Sequence, residues 1–186
     1  KTIKGNGWMG VRFQLRPGGP YNELVIHVKM LDNDNRLQQE AIGVLGVNMI
    51  YACYFHSDNP ELFVKSLKDG LSGRITIDLV RLTGPDFEKV DHRLISLYLV
   101  KNGLTDVTLF DISRSVHASE FLYRKSLMVV RGNFRPPTLV TLDVIKSSFE
   151  QFRNESDIED KRAFIVSEIT LEYLSRFGQI SEQDFL

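Results

Sequence analysis

The chain has 186 residues, 42% of them hydrophobic and 25% charged, with a formal net charge of −1 from 23 basic and 24 acidic residues. This composition is typical of a globular domain, and a balanced charge without a polybasic stretch argues against nucleic acid as a partner. The longest apolar stretches, of about ten residues, fall well short of the roughly 20 that a membrane-spanning helix needs, so no membrane contact is expected.

The hydrophobic pattern predicts strands and helices in alternation along the chain. The segments 8–15 and "ELVIHVKML" are predicted strands. A helix should then begin near Arg36 after the capping residues "DNDN" and end at Gly46, with "VNMIYACYF" as the next strand. Three further strands are predicted at "RITIDLVRLTG", "LTDVTLFDI" and "SLMVVRG". The further helices are predicted at "SDNPELFVKSLKDGL", "PDFEKVDHRLISLYLVKNG", "SEFLYRK", "PTLVTLDVIKSSFEQF" and residues 163–177.

This alternation predicts an α/β fold with a mostly parallel sheet of five or six strands and helices on both faces. The α/β domain should cover residues 1–153. Residues 154–186 should form a linker and a C-terminal helix that packs on the domain or extends from it.

Two segments of the chain align without gaps, namely "NRLQQEAIGVLGVNMIYACYF" and "HRLISLYLVKNGLTDVTLFDI". The alignment suggests an internal duplication of a β-α-β unit, with a crevice at the carboxyl ends of the strands. Arg36 and Arg93 occupy matching places at the helix starts, so both are secondary candidates for ligand contacts. The alternative is that they are solvated or form local ion pairs with Asp34 and Asp91.

The stretch "RGNFRPPTLVTLDVI" follows an apolar strand and combines a glycine turn, a proline and a helix start. Glycine lets the backbone approach a phosphate, and the helix N-terminus offers N–H groups and a positive dipole. The alternative is an ordinary strand-to-helix connection in which Arg131 pairs with an aspartate such as Asp111. The candidate residues for phosphate or nucleotide binding are Arg131, Gly132, Asn133, Arg135, Thr138 and Thr141.

The same stretch resembles the signature G-[ST]-F-D-P-x-[HT]-x-G-H of the nucleotidyltransferase family that includes nicotinate-nucleotide and pantetheine-phosphate adenylyltransferases. Gly132, Phe134, Pro136 and Thr138 match the signature, whereas Thr141 stands where the family has a catalytic histidine. The resemblance implies a nucleotide ligand, either ATP or an NAD-related nucleotide.

A second resemblance extends over more of the chain. The segments "GWMGVRFQ", "LQQEAIGVLGVNMIY", "LVKNGLTDV" and "RGNFRPPTLV" resemble an uncharacterised family of longer bacterial proteins, often labelled nicotinate-nucleotide adenylyltransferase or TonB-dependent receptor. This resemblance implies that the chain is the middle portion of a longer protein. It also implies contacts with flanking domains or with further copies of the chain.

The four histidines occur singly, without an H-x-x-x-H or C-x-x-C pattern, so no metal site is expected. His27 should be a partnered histidine in the core or at a sheet edge. His92, beside Asp91, is a candidate acid or base, or else part of a helix cap. The only cysteine, Cys53, should be buried, and a chain without disulfides is typical of the cytoplasm.

The sequence therefore predicts a nucleotide- or phosphate-metabolite-binding α/β domain that is adenylyltransferase-like but lacks the catalytic histidines. Whether it catalyses a reaction is left open. The alternative is a non-catalytic structural or interaction domain of a larger bacterial protein, with self-association through residues such as Leu171 and Leu174.

Overall fold

A computed structural model describes residues 4–111, 113–132, 134, 136–159, 162–176, 178 and 180–185. The chain divides into two compact units. The first unit comprises Lys1–Ala118 with Phe185–Leu186, and the second comprises Ser119–Asp184. Among the described residues, no helix is both long enough and apolar enough to cross a membrane.

The first unit is built on a three-stranded antiparallel sheet. Its strands are β1 (Asn6–Phe13), β2 (Asn22–Met30) and β3 (Ile75–Thr83), in the order β1-β2-β3. A short loop with Gly18 at φ 72° joins β1 to β2. Because so short a connection can only reverse the chain, these two strands are antiparallel.

Helices cover one face of this sheet. They are α1 (Asn35–Phe55), α2 (Pro60–Ser66) and α3 (His92–Lys101), and a single 3₁₀ turn (Pro85–Phe87) follows β3. Alternate side chains of β2 meet the buried side of α1 in the hydrophobic core, because side chains of a strand point in turn to opposite faces. The core residues that these two elements contribute are Leu24, Ile26, Val28, Met30, Ala41, Leu45, Met49, Ala52 and Cys53. A small antiparallel pair, β4 (Leu109–Phe110) and β5 (Ser115–Val116), completes the unit.

The second unit contains a parallel pair of strands joined through a helix. After α4 (Ala118–Leu122) come β6 (Ser126–Arg131), α5 (Leu139–Arg153) and β7 (Ala163–Glu168), with β6 and β7 parallel. Parallel neighbours need a long crossover, and α5 supplies it. Two short helices follow, α6 (Leu171–Ser175) and α7 (Glu182–Phe185).

The predicted mostly parallel sheet of five or six strands is wrong. The described residues form one three-stranded and one two-stranded antiparallel sheet, and a single parallel pair. The main cause is "VNMIYACYF", a predicted strand that is the second half of α1. A short apolar run does not distinguish a buried strand from a helix, and Gly46 lies inside the helix instead of ending it.

The predicted duplication is absent from the described structure for the same reason. Helix α1 continues through Gly46, whereas α3 ends at Lys101 and the chain turns at Gly103, which has φ 64°. The aligned segments therefore form different structures. The predicted trailing helix is also replaced in part by a strand, because the β-branched segment at Ala163–Glu168 pairs with β6.

Candidate functional site

The turn after β6 carries the first group of residues predicted from the sequence. Arg131 ends β6, and its Nε and Nη2 donate to the two carboxylate oxygens of Glu168 at 2.7 and 3.1 Å. The Gly132 N–H donates to the Glu168 carbonyl at 3.1 Å. The hydrogen bonds from Arg131 lower the pKa of Glu168, and those to Glu168 raise the pKa of Arg131. The guanidinium is thus held by the neighbouring strand, while Asn133 and Arg135 lie outside the described residues.

The N-terminus of α5 is capped by its own threonines. The Thr138 Oγ1 accepts a hydrogen bond from the Thr141 N–H at 3.1 Å and lies 2.9 Å from the Thr141 Oγ1. This is the ordinary way to satisfy the first N–H groups of a helix. Both threonines therefore already have a structural role at the cap.

The two arginines at helix starts lie among local acids. The Arg36 side chain is exposed and its Nε lies 3.9 Å from the Glu40 carboxylate. Arg93 is held more firmly, because its Nη2 donates to the Asp91 Oδ2 at 2.7 Å and its Nε to the Asp91 Oδ1 at 3.0 Å. These hydrogen bonds lower the pKa of Asp91 despite its partial burial.

A cavity of about 580 Å³ opens in the first unit where β3 ends and α3 begins. Its walls combine the last residues of β3, the turn that follows, the start of α3 and the turn between β4 and β5. The lining residues are Val80, Arg81, Leu82, Thr83, Gly84, Pro85, Phe87, Glu88, Val90, His92, Ile95, Ser113, Arg114 and Ser115.

His92, a candidate from the sequence, lies in this cavity wall. Its Nε2 is 3.1 Å from the Asp111 carbonyl oxygen. Because a carbonyl only accepts, Nε2 must carry the proton, which leaves Nδ1 of a neutral ring as an acceptor. Nδ1 lies 3.9 Å from the Asp91 carboxylate. The ring is therefore held in one orientation at the cavity edge.

The serines of "DISRSVHASEF" are occupied by structural hydrogen bonds. The Asp111 Oδ1 accepts from the Ser113 Oγ and N–H and from the Arg114 N–H, and these bonds lower the pKa of Asp111. The buried Ser115 Oγ lies 3.0 Å from the Ser96 Oγ. Among the described residues, neither serine hydroxyl forms a hydrogen bond with a histidine ring nitrogen, so the serine–histidine pair that activates a serine nucleophile is not formed there.

Two arginines in the cavity wall differ from the paired ones. The guanidinium groups of Arg81 and Arg114 form no ion pair within 4 Å and no side-chain hydrogen bond with the residues that the structure describes, although the charge of Arg114 helps to lower the pKa of Asp111. Both side chains are exposed at the cavity. They offer positive charge and hydrogen-bond donors to a bound anion.

A second group of polar residues lies on the sheet face opposite α1. His27, Asp78 and His117 each offer one possible ligand atom for a metal ion, and these atoms lie within 4.8 Å of one another. The His27 Nδ1 is 2.6 Å from the Asp78 Oδ1, and the His117 Nε2 is 3.9 Å from the Asp78 Oδ2. All three side chains are nearly buried.

The irregular pairing of β2 and β3 creates this group. His27 lies opposite Leu79 and Val28 opposite Ile77, so Asp78 is the extra residue of a β-bulge. A bulge redirects the side chain of the extra residue, which here points toward His27.

Lys29 and Trp8 complete the group. The Lys29 Nζ lies 2.6 Å from the Asp78 Oδ2. Burial alone would raise the pKa of Asp78, but the hydrogen bonds from Lys29 and His27 hold it below its usual value. The Trp8 ring packs against both histidine rings, tilted to His27 and edge-on to His117, with ring centroids 4.9 and 5.3 Å apart.

Sequence reasoning did not assemble this group because its members come from three distant segments and form no local motif. The one available signal was the polar alternation of His27 and Lys29 along an otherwise apolar strand. Comparison with protein families, curated proteins and solved structures gives no match for the chain.

Proposed function

We propose that the first unit binds a small phosphorylated metabolite, such as a nucleotide, in the cavity at the end of β3. The observation that carries the proposal is the pair of arginines, Arg81 and Arg114, which line the cavity and form no ion pair within 4 Å in the described part of the chain, although the charge of Arg114 acts on Asp111. Guanidinium groups match phosphate oxygens in geometry and charge. The volume of about 580 Å³ lies within the range of ~300–1,000 Å³ for ligand pockets.

The other lining residues support the same class of ligand. Phe87 and Ile95 provide an apolar wall for a base or another ring. The His92 imidazole can form a hydrogen bond through Nδ1, and Glu88 is a carboxylate that can accept hydrogen bonds from sugar hydroxyls. ATP and NAD-related nucleotides are therefore suitable first ligands. The proposal concerns binding alone.

The turn at 131–141 remains a predicted alternative for the same ligand. The geometry favours the cavity, because Arg131 is held by Glu168 and the hydroxyls of Thr138 and Thr141 serve the helix cap. An anion at that turn would have to break the ion pair between Arg131 and Glu168 and the hydrogen bonds of the two threonines at the helix cap.

A thermal-shift titration with ATP, NAD, nicotinate mononucleotide and inorganic phosphate tests the proposal, because binding to the folded state raises the melting temperature. The variants are Arg81→Ala and Arg114→Ala at the cavity and Arg131→Ala at the predicted turn. Arg36→Ala is the control, because Arg36 lies away from the cavity. The carbonyl of the next residue, Leu37, accepts a hydrogen bond from Arg74, which precedes β3 at the end of the strand opposite the cavity. All variants are checked for unchanged melting without ligand.

We expect a nucleotide to stabilise the wild type and the Arg36 variant, with affinity reduced at least about tenfold by either cavity substitution, because each removes a charged hydrogen-bond donor. If only Arg131→Ala abolishes the shift, the site is the turn after β6 and the cavity assignment is wrong. If no ligand stabilises the wild type at millimolar concentration, the proposed function is wrong altogether.

A second candidate function is self-association through α1. Five apolar side chains at helical spacing lie on its outer face, namely Val47, Ile50, Tyr51, Tyr54 and Phe55, each about half exposed or more. Large exposed apolar patches mark interaction sites. None of these five residues is charged, so the stripe has no charge that would favour a partner of opposite charge. In a two-fold dimer the same surface of each subunit contacts itself, which suits an uncharged apolar stripe. We therefore take a second copy of the chain as the occupant.

Sedimentation velocity over a range of concentrations tests this second candidate. We expect a dimer that Phe55→Ser weakens and that Leu139→Ser leaves unchanged, since Leu139 is an even more exposed apolar residue outside α1. A wild type that stays monomeric at high concentration would exclude it. The family resemblance and the cytoplasmic location remain predictions.

A further inference from the structure

We propose that His27, Asp78 and His117 form a binding site for a divalent first-row transition-metal ion. Two imidazoles and one carboxylate are a common ligand set for such ions, and three protein ligands leave positions open for water or a substrate. The three possible ligand atoms lie within 4.8 Å of one another. Two ligands on a shared zinc ion are roughly 3.3 Å apart, given bonds of about 2.0–2.1 Å. Small side-chain adjustments therefore suffice to close the group on an ion.

The surroundings of the group favour an ion of this class over Mg²⁺ or Ca²⁺. Two of the three ligands are imidazoles, whereas the hard cations prefer oxygen ligands alone. The rings of His27 and His117 are tilted against each other, with centroids 4.1 Å apart, and the Trp8 ring packs against both of them. This packing fixes the direction of both rings before any ion arrives, which limits the conformational entropy that binding would cost.

The Lys29 ammonium competes with a metal ion for the Asp78 carboxylate. Its ammonium lies 2.6 Å from the Asp78 Oδ2, while its side chain is 44% exposed. An entering ion would displace the ammonium, which can move into solvent, and would replace the proton that His27 shares with Asp78. Lys29 therefore weakens metal binding without blocking it. This leads to an unusual expectation, because replacing a residue of the site should tighten binding.

The single tryptophan provides the measurement. Paramagnetic Co²⁺ quenches a nearby indole, so titration of the wild-type chain with Co²⁺ should quench Trp8 fluorescence in a saturable way. Zn²⁺, which does not quench, should compete and restore the emission. A His117→Phe variant keeps an aromatic ring against Trp8 but removes one ligand, and should abolish saturable quenching. A His56→Phe variant is the matched control, because His56 lies at the end of α1 and outside the group.

The Lys29→Met variant keeps the proposal testable if His117→Phe fails to fold. We expect Co²⁺ affinity to rise about tenfold, of the order seen when residues around metal ligands are changed. Thermal melting with and without Zn²⁺ gives a second readout, with stabilisation larger in Lys29→Met than in the wild type.

Three outcomes would each overturn the proposal. They are non-saturable quenching, quenching unchanged in a folded His117→Phe variant, and unchanged or weaker affinity in Lys29→Met. Because no cavity arginine is involved, failure here is independent of nucleotide binding.

Discussion

Asn22 and Asp86 hold the turn after β3 against the start of β2 through two reciprocal hydrogen bonds. The Asn22 Nδ2 donates to the Asp86 Oδ2 at 2.8 Å, and the Asp86 N–H donates to the Asn22 Oδ1 at 3.2 Å. Asn22 is fully buried. A buried amide needs such partners, because an unsatisfied polar group costs free energy. The turn fixed in this way carries Gly84, Pro85 and Phe87, which line the proposed ligand cavity.

The Asn22→Ala variant should lower both stability and ligand binding. Both hydrogen bonds disappear and the Asp86 N–H loses its acceptor, so we expect the free energy of unfolding to fall by about 1–3 kcal/mol. Asn6→Ala is the control, since Asn6 is an exposed residue of β1. Urea unfolding at equilibrium gives the free energy of unfolding of both variants. Equal stability of the two variants would show that the reciprocal bonds contribute nothing.

The Gly84→Ala variant should be more disruptive than its size suggests. Gly84 has φ 126°, which side-chain-bearing residues rarely adopt, and an added Cβ would lie 2.7 Å from the Asn22 Cα. The backbone term alone is about 1–3 kcal/mol, and the clash adds to it. We expect a clear fall in melting temperature together with loss of nucleotide binding.

Gly43→Ala is the matched comparison for Gly84→Ala. Gly43 lies inside α1, and an added Cβ meets nothing within 4 Å. Alanine in a helix interior is favoured over glycine by roughly 0.5–1 kcal/mol, so this variant should melt at a higher temperature than the wild type. If both alanine variants changed stability in the same direction, the assignment of strain to Gly84 would be wrong.

Much of the secondary structure of the first unit was predictable from local signals. The strand "ELVIHVKML", the cap Asp34 and the helix stop at Gly103 all correspond to described features. The sheet was not predictable, because it depends on whether "VNMIYACYF" is a strand or a helix. An apolar run of that length suits either, and only packing against the core decides between them.

The candidate sites differ in how far sequence could reach them. His92 could be selected because it stands at a helix start after a strand, although Arg81 and Arg114 carry no local signal of the role proposed for them. The group of His27, Asp78 and His117 could not be predicted from the sequence. Asp78 points toward His27 through a bulge, and a bulge depends on the pairing of two strands, which a single sequence does not reveal.

Asp91 should make stability depend on acid pH. Its pKa is lowered from an ordinary value near 3.8, chiefly by the hydrogen bonds from Arg93 and against the effect of burial. A carboxyl with a lowered pKa in the folded state binds fewer protons there than in the unfolded state. Its contribution to stability is therefore complete above pH 3.8 and is lost as the pH falls through the lowered pKa.

The Asp91→Asn variant isolates this contribution. The asparagine oxygen can still cap α3 by accepting from the Arg93 N–H, but the charge is gone. Urea unfolding at a series of pH values should show the wild type losing its advantage over the variant in the acid range and keeping it at neutral pH. A difference between the two proteins that is independent of pH would contradict the assignment.

Cys53 should be almost inert toward thiol reagents in the folded protein. The side chain is fully buried among core residues of α1, and burial raises the pKa of the thiol from 9.0 to about 12. The thiolate is the reactive form, so a change of three pKa units lowers its population about a thousandfold, apart from the effect of restricted access.

Reaction with a chromogenic disulfide reagent at mildly alkaline pH should therefore be far slower for the native chain than for the chain in denaturant. In denaturant one thiol per chain should react at the rate of free cysteine, and a Cys53→Ala variant should give no signal in either state. Rapid labelling of the native protein would mean that α1 opens readily from the sheet, and the core assigned to the first unit would then be wrong.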